Sequence, residues 1–184
     1  MSDQELKQEK KRVVVFSGSA CSDGQIQALG RELGSELARK GYVVVNGGGP
    51  GLMNEVLKGA KSSGGRTFSV QLNKHEREQS PFSDDSVSFT RLRPRQDEML
   101  THGDAFIALP GGIGTLYEVL EIMALKNTGE LEKTPLILLS DHYLPFLEWM
   151  NDHKKKGMVP SMWERYYRYA PDIASCIRYL EENL

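Results

Sequence analysis

Ala105-Phe106-Ile107-Ala108-Leu109 runs straight into Pro110-Gly111-Gly112-Ile113-Gly114-Thr115, and this junction decides the fold. A short apolar run closed by proline and glycine reads as a buried strand followed by a tight turn. A helix is expected from Thr115 to about Lys126. The turn therefore joins the end of a strand to the start of a helix, where backbone N–H groups lack partners within the helix.

The same pattern recurs on either side. Val13–Phe16 is a β-branched run ending in Ser17-Gly18-Ser19, and Ile26, Leu29, Leu33 and Leu37 then fall at helical spacing within residues 25–40. Tyr42–Val45 leads into Gly47-Gly48-Gly49-Pro50-Gly51 and an expected helix over residues 52–62, with Met53, Val56, Leu57 and Ala60 on one side. Further strands are expected at residues 67–70, 87–92 and 136–139, and further helices at residues 95–102, 144–153 and 172–182. The polar stretch 71–86, with Pro81 and several charges, reads as a surface loop.

Apolar strands alternating with helices predict an α/β fold: a doubly wound, Rossmann-like, mostly parallel sheet with helices on both faces, in a single domain. Residues 1–12 are expected to form a polar N-terminal tail, and residues 13–184 one α/β domain. In such sheets ligands bind beyond the carboxyl ends of the strands. Three glycine-rich loops, after residues 16, 45 and 109, fall at those ends.

Composition narrows the function classes. The 184 residues are 39% hydrophobic and 26% charged, with a formal net charge of −2. No basic footprint argues for nucleic acid or an acidic membrane surface, so an anionic ligand must be small and held locally. Cys21 and Cys176 stand far apart, outside any metal-ligand spacing, which fits a reduced, cytoplasmic protein with no metal. Neither a signal peptide nor a membrane span is expected.

The loops also exclude some chemistries. The first reads Gly18-Ser19-Ala20-Cys21-Ser22-Asp23-Gly24 and the second strand ends at Asn46, so the dinucleotide fingerprint with its acidic residue is missing. No Gly-Lys pair precedes a Ser or Thr, which removes the nucleoside-triphosphate loop as well. Gly111, Gly112 and Gly114 with the Thr115 hydroxyl have the makings of a phosphate cradle at a helix N-terminus. Taken alone, the same residues also spell a tight turn capped by Thr115. Thr115-x-x-Glu118 has the spacing of a capping box, and as sequence alone the cap is the expected role of Glu118. Glu121 falls on the same helical face one turn on, where two carboxylates can shift each other's pKa.

Gly47-Gly48-Gly49-Pro50-Gly51-Leu52-Met53, then Arg95-x-x-x-Met99, then Pro110-Gly111-Gly112-Ile113-Gly114-Thr115-Leu116-Tyr117-Glu118 occur in that order. From about Val13 to Leu139 the chain resembles the LOG, or "lonely guy", family of phosphoribohydrolases. That family hydrolyses nucleoside 5'-monophosphates, cytokinin riboside monophosphates among them, to free base and ribose 5-phosphate. The resemblance implies that Arg95 and Glu118 are catalytic and that Gly111, Gly112, Gly114 and Thr115 hold the phosphate. Ser17, Gly18, Ser19, Gly48, Gly49, Met53, Met99 and Glu121 are added as candidate substrate-binding residues.

The resemblance further implies a homodimer, no cofactor and a nucleoside monophosphate as partner. This chain has Arg95-Gln96 where family members often have Arg-Lys, and Arg93 where they have His, which bears on substrate preference. The family has also carried the label "lysine decarboxylase", which would require pyridoxal phosphate on a Schiff-base lysine. The alternative is a non-catalytic carrier or sensor of a nucleotide-like ligand, of the molybdenum-cofactor carrier type.

Overall fold

The structure is a computed structural model that describes residues 10–73, 78–131 and 133–184. Its centre is β1 (Arg12–Phe16), which turns Val13 and Val15 toward one layer of helices and Val14 and Phe16 toward the other. Both faces are covered, so all four residues are buried and the strand reads as a continuous apolar run. α1 (Gly24–Arg39) follows, its start fixed by Asp23, whose carboxylate accepts from the N–H groups of Gln25 and Ile26 at 2.8 and 3.2 Å.

β2 (Val43–Asn46) and α2 (Leu52–Ser62) repeat the unit, followed by β3 (Thr67–Leu72) and β4 (Asp85–Phe89). Next come α3 (Leu92–Thr101), β5 (Ala105–Ala108), α4 (Ile113–Thr128), β6 (Leu136–Leu139), α5 (Leu144–Lys155), β7 (Arg168–Ala170) and α6 (Ile173–Asn183). Among the described residues the strands form one seven-stranded sheet in the order β4-β3-β2-β1-β5-β6-β7, and every pairing is parallel. Residues of α1, α2 and α6 build the core on one face, and residues of α3, α4 and α5 build it on the other. The α/β doubly wound, Rossmann-like reading therefore holds.

Strand order reverses between β1 and β5. Successive strands run outward to one side from β1 and to the other from β5, so the loops leaving these two neighbours part and open a crevice. A close helix contact stiffens the first side. A Cβ on Gly34 of α1 would lie 1.9 Å from the Val56 carbonyl oxygen of α2, and one on Gly59 would lie 1.9 Å from that of Arg31.

Several boundaries differ from the sequence expectation. α3 begins at Leu92 rather than Arg95, because Pro94 sits in the first turn, where no N–H is needed, and the expected strand at 87–92 ends at Phe89. α4 begins at Ile113, two residues before Thr115. The edge strand β7 was not foreseen. The stretch 71–86 is more than a surface loop: β3 runs to Leu72, β4 starts at Asp85, and buried Ser80 donates its N–H to the Gly48 carbonyl at 2.7 Å. No helix among the described residues is long and apolar enough to cross a membrane.

Candidate active site

An open cleft of about 560 Å³ lies at the carboxyl ends of β1 and β5. Ser17, Gly18 and Ser19 enter it from the loop after β1, and Gly112, Gly114, Thr115 and Glu118 from the start of α4. Met53 reaches it from α2 and Arg95 from α3. The structure thus gathers nine of the fourteen candidate residues around one space, from four separate stretches of chain.

The loops are locked to one another. Gly18 accepts from the Leu52 N–H at 3.1 Å, and a Cβ placed on it would lie 3.6 Å from the Gly111 Cα. Gly51 has φ +67°, and a Cβ there would come within 2.5 Å of the Ser19 carbonyl oxygen, so both conformation and space require glycine. Asn46, at the end of β2, folds the second loop by accepting from the Gly48 N–H at 2.8 Å and donating to the Met53 carbonyl at 2.9 Å. That double role explains an amide where a dinucleotide-binding sheet has an acid.

Thr115 is the third residue of α4, not its cap. Gly112 holds the cap position with no side-chain bond, so the capping-box expectation for Thr115 and Glu118 is overturned. Thr115 is buried instead, and its Oγ1 closes on Gly111, where an added Cβ would lie 2.1 Å away. The first N–H groups of α4 have no carbonyl one turn earlier and face the cleft end of the helix. Ser17 Oγ, at the cleft wall and in a residue 8% exposed, has no hydrogen-bond partner within the described residues.

Beside the start of α4 lies a buried Arg–Glu pair. Arg95 Nε donates to the Val70 carbonyl at 2.8 Å, which aims the guanidinium so that Nη1 stands 3.7 Å from Glu118 Oε1. Gln96 links the two: its Oε1 accepts from Arg95 Nη1 and its Nε2 donates to Glu118 Oε1, each at 3.3 Å. Burial penalises the Glu118 carboxylate and raises its pKa from 4.5 to about 7, against the opposing pull of Arg95 and Gln96. The charge of Glu121 adds to the rise.

Five candidates stand elsewhere. Met99 is buried in the core between α3 and the sheet, and Glu121 pairs with Arg93 at 3.5 Å and accepts from the Tyr117 hydroxyl at 3.4 Å. Gly48 and Gly49 are buried in the second loop, and it is Gly47 that meets the guanidinium, since a Cβ there would lie 2.2 Å from Arg95 Nη2. Gly111 serves the loop's own packing against Gly18 and Thr115. Conversely, Gln96, Tyr117 and Leu72 line the cleft without having been singled out. The Arg95-Gln96 pairing was the one sequence signal that pointed to Gln96.

No lysine lines the cleft among the described residues. Buried Lys126 lies in the last turn of α4, donating to the Leu131 carbonyl at 3.2 Å, so the residues do not fit a Schiff base with pyridoxal phosphate. Among the described residues no cluster of three or more His, Cys, Asp or Glu is placed to hold a metal ion.

Fold and site define a Rossmann-like α/β protein with glycine loops and a buried Arg–Glu pair at the switch point of its sheet. Residues 53–180 match the family described as possible lysine decarboxylase. A probable cytokinin riboside 5'-monophosphate phosphoribohydrolase of Oryza sativa subsp. japonica is 34% identical over 94% of this chain and 78% of its own. A cytokinin riboside 5'-monophosphate phosphoribohydrolase of Arabidopsis thaliana is 32% identical over 97% of this chain and 85% of its own. The chain belongs to this LOG family.

Among solved structures, the molybdenum cofactor binding protein of Rippkaea orientalis superposes with a TM-score of 0.74 at 25% identity, covering 95% of this chain and 98% of that one. The Moco carrier protein of Chlamydomonas reinhardtii has the same fold, with a TM-score of 0.69 at 23% identity over 94% of this chain and 96% of that one.

Proposed function

We propose that the protein hydrolyses the N-glycosidic bond of a nucleoside 5'-monophosphate, of the AMP or cytokinin riboside type, to free base and ribose 5-phosphate. The observation that carries this is the buried Arg95–Glu118 pair, opening on the same cleft as the uncapped start of α4. Phosphate binds at the N–H groups of α4 with the Thr115 and Ser17 hydroxyls, and serves as a handle that positions the sugar.

As the C1'–N bond lengthens, its electron pair leaves with the base and the ribose becomes cation-like. Carboxylate charge at Glu118 stabilises that cation, and the same group takes a proton from the water whose oxygen bonds to C1'. The departing base acquires a proton from solvent. Arg95 keeps Glu118 oriented and offers its planar donor fork to the sugar phosphate side. A carboxyl poised near neutrality suits proton transfer at physiological pH.

Names of the plant relatives support the hydrolase, and the molybdenum cofactor binding protein supports a carrier as the second reading. Homodimer formation is part of the proposal. Ile113, Tyr117 and Leu120 expose one apolar face of α4, 90%, 38% and 44% accessible, with Leu92 of α3 near it at the cleft mouth. Incubation with AMP, GMP, CMP, UMP and an N6-substituted AMP, followed by chromatography for free base, tests the activity. Base released by the wild type and not by Glu118→Ala establishes hydrolysis; tight binding with no release replaces it with the carrier.

A further inference from the structure

The turn Ser140-Asp141-His142-Tyr143, which follows β6, grips the glycine loop by two of its carbonyls. Tyr143, almost wholly buried, donates its hydroxyl to the Leu109 carbonyl at 2.7 Å. Burial and the charge of Glu118 hold its pKa well above the usual tyrosine range, so it stays a donor. His142 Nε2 lies 3.3 Å from the Gly111 carbonyl. A carbonyl only accepts, so that nitrogen carries the hydrogen.

Peptide geometry turns these two bonds into an orientation. The chain has no cis peptide among its described residues, and in a trans peptide C=O and N–H point in opposite directions. Drawing the Gly111 oxygen to His142 therefore sends the Gly112 N–H the other way, and Gly112 is a cleft-lining residue.

The turn itself is held under constraint. Ser140 has φ +81° and ψ 164°, and it is the only residue other than glycine with positive φ among those described. Such backbone persists where its surroundings over-determine it. Here the Ser140 N–H donates to the Ala170 carbonyl of β7 at 2.9 Å, its Oγ accepts from the His142 N–H at 3.4 Å, and the His142 and Tyr143 rings meet edge to face at 5.3 Å.

We propose that His142 and Tyr143 are positioning residues for phosphate: by anchoring the carbonyls of Leu109 and Gly111 they preset the loop's N–H groups toward the anion before the ligand arrives. This rests on the phosphate assignment above. Each bond lost should weaken AMP binding about three- to tenfold, the worth of one neutral hydrogen bond.

The test is calorimetric titration of AMP and of adenosine into wild type, His142→Ala, His142→Gln and Tyr143→Phe, with kcat and KM measured where turnover occurs. The expected result is weaker AMP binding and a higher KM in His142→Ala and Tyr143→Phe, with adenosine affinity and saturated kcat within about twofold of wild type. His142→Gln, which keeps a donor, should stay near wild type. His142 is exposed, so its variants keep the fold even if Tyr143→Phe does not. Equal losses for AMP and adenosine, unchanged AMP affinity in His142→Ala, or a wild type that does not prefer AMP would overturn the proposal. AMP binding without base release would instead remove the hydrolase alone, and the contrast between AMP and adenosine would still decide the role of the turn.

Discussion

Replacing Glu118 by Gln keeps the side chain's shape and removes its charge, which isolates the consequence of burying a carboxylate. Between about pH 4.5 and 7 the folded protein holds a proton on Glu118 that the unfolded chain has released. Folding therefore takes up a proton in that window, and stability from this group is full below it and lost as pH rises through it. A rise from 4.5 to about 7 corresponds to about 3 kcal/mol. Urea unfolding of wild type and Glu118→Gln across the window gives two curves whose difference cancels the titrations common to both. Wild type should lose about 3 kcal/mol relative to the variant over the window. In the same experiment kcat of wild type should climb to a plateau above about pH 7, while the variant falls roughly 10²–10⁴-fold. A difference curve flat across the window, or a variant that keeps its rate, would refute the argument.

If both hydroxyls serve the phosphate as proposed, Thr115→Val and Ser17→Ala should each raise KM for AMP about tenfold with little change in kcat; steady-state kinetics with an unaltered KM would remove the cradle. Gln96→Leu deletes a donor that favours ionised Glu118, so the acid limb of the pH–rate profile should move to higher pH, and a stationary limb would show that Gln96 only packs. Gly34→Ala should lower the melting temperature despite the better helix propensity of alanine, because its Cβ falls 1.9 Å from a backbone oxygen and overpacking costs about 1–3 kcal/mol. Gly24→Ala, with no atom within 4 Å of the new Cβ, is the control that should not destabilise.

Much of this was legible because the sheet is parallel and covered on both faces. Val13–Phe16, Val43–Val45 and Leu136–Leu139 are unbroken apolar runs, and glycine closely follows two of them where the chain must turn. β7 stayed hidden because Arg168-Tyr169-Ala170, at the sheet edge, has one open side and no apolar pattern to read. The start of α4 was misplaced because Thr-x-x-Glu is ambiguous: spacing alone does not say whether hydroxyl and carboxylate turn back to the helix or outward to a ligand. Motif brought Arg95 and Glu118 forward as candidates, whereas Gln96 and the turn 140–143 reach the cleft through contacts between elements far apart in sequence, which no local spacing encodes. The close crossing at Gly34 and Gly59 was equally silent, since glycine inside a helix has several explanations.

The position of Glu118 also separates enzyme from carrier on physical grounds. A pocket that only holds a phosphorylated ligand gains from donors and cations near the anion, and a buried carboxylate there opposes the ligand's charge. Keeping Glu118 nearly dry costs about 3 kcal/mol once it ionises, even with Arg95 and Gln96 beside it. The same carboxylate becomes favourable only when positive charge develops close by, as it does on a ribose losing its base. Glu118 lies one turn along α4 from the Thr115 end of the cradle, where a sugar attached to the bound phosphate would extend. In the proposed hydrolase the cost in the resting protein is offset in the transition state, whereas a carrier would have only the cost. Glu118→Gln should accordingly bind AMP at least as tightly as wild type above about pH 7 while losing turnover. If the variant instead binds AMP more weakly, Glu118 is a ground-state ligand and the argument for hydrolysis loses its electrostatic basis.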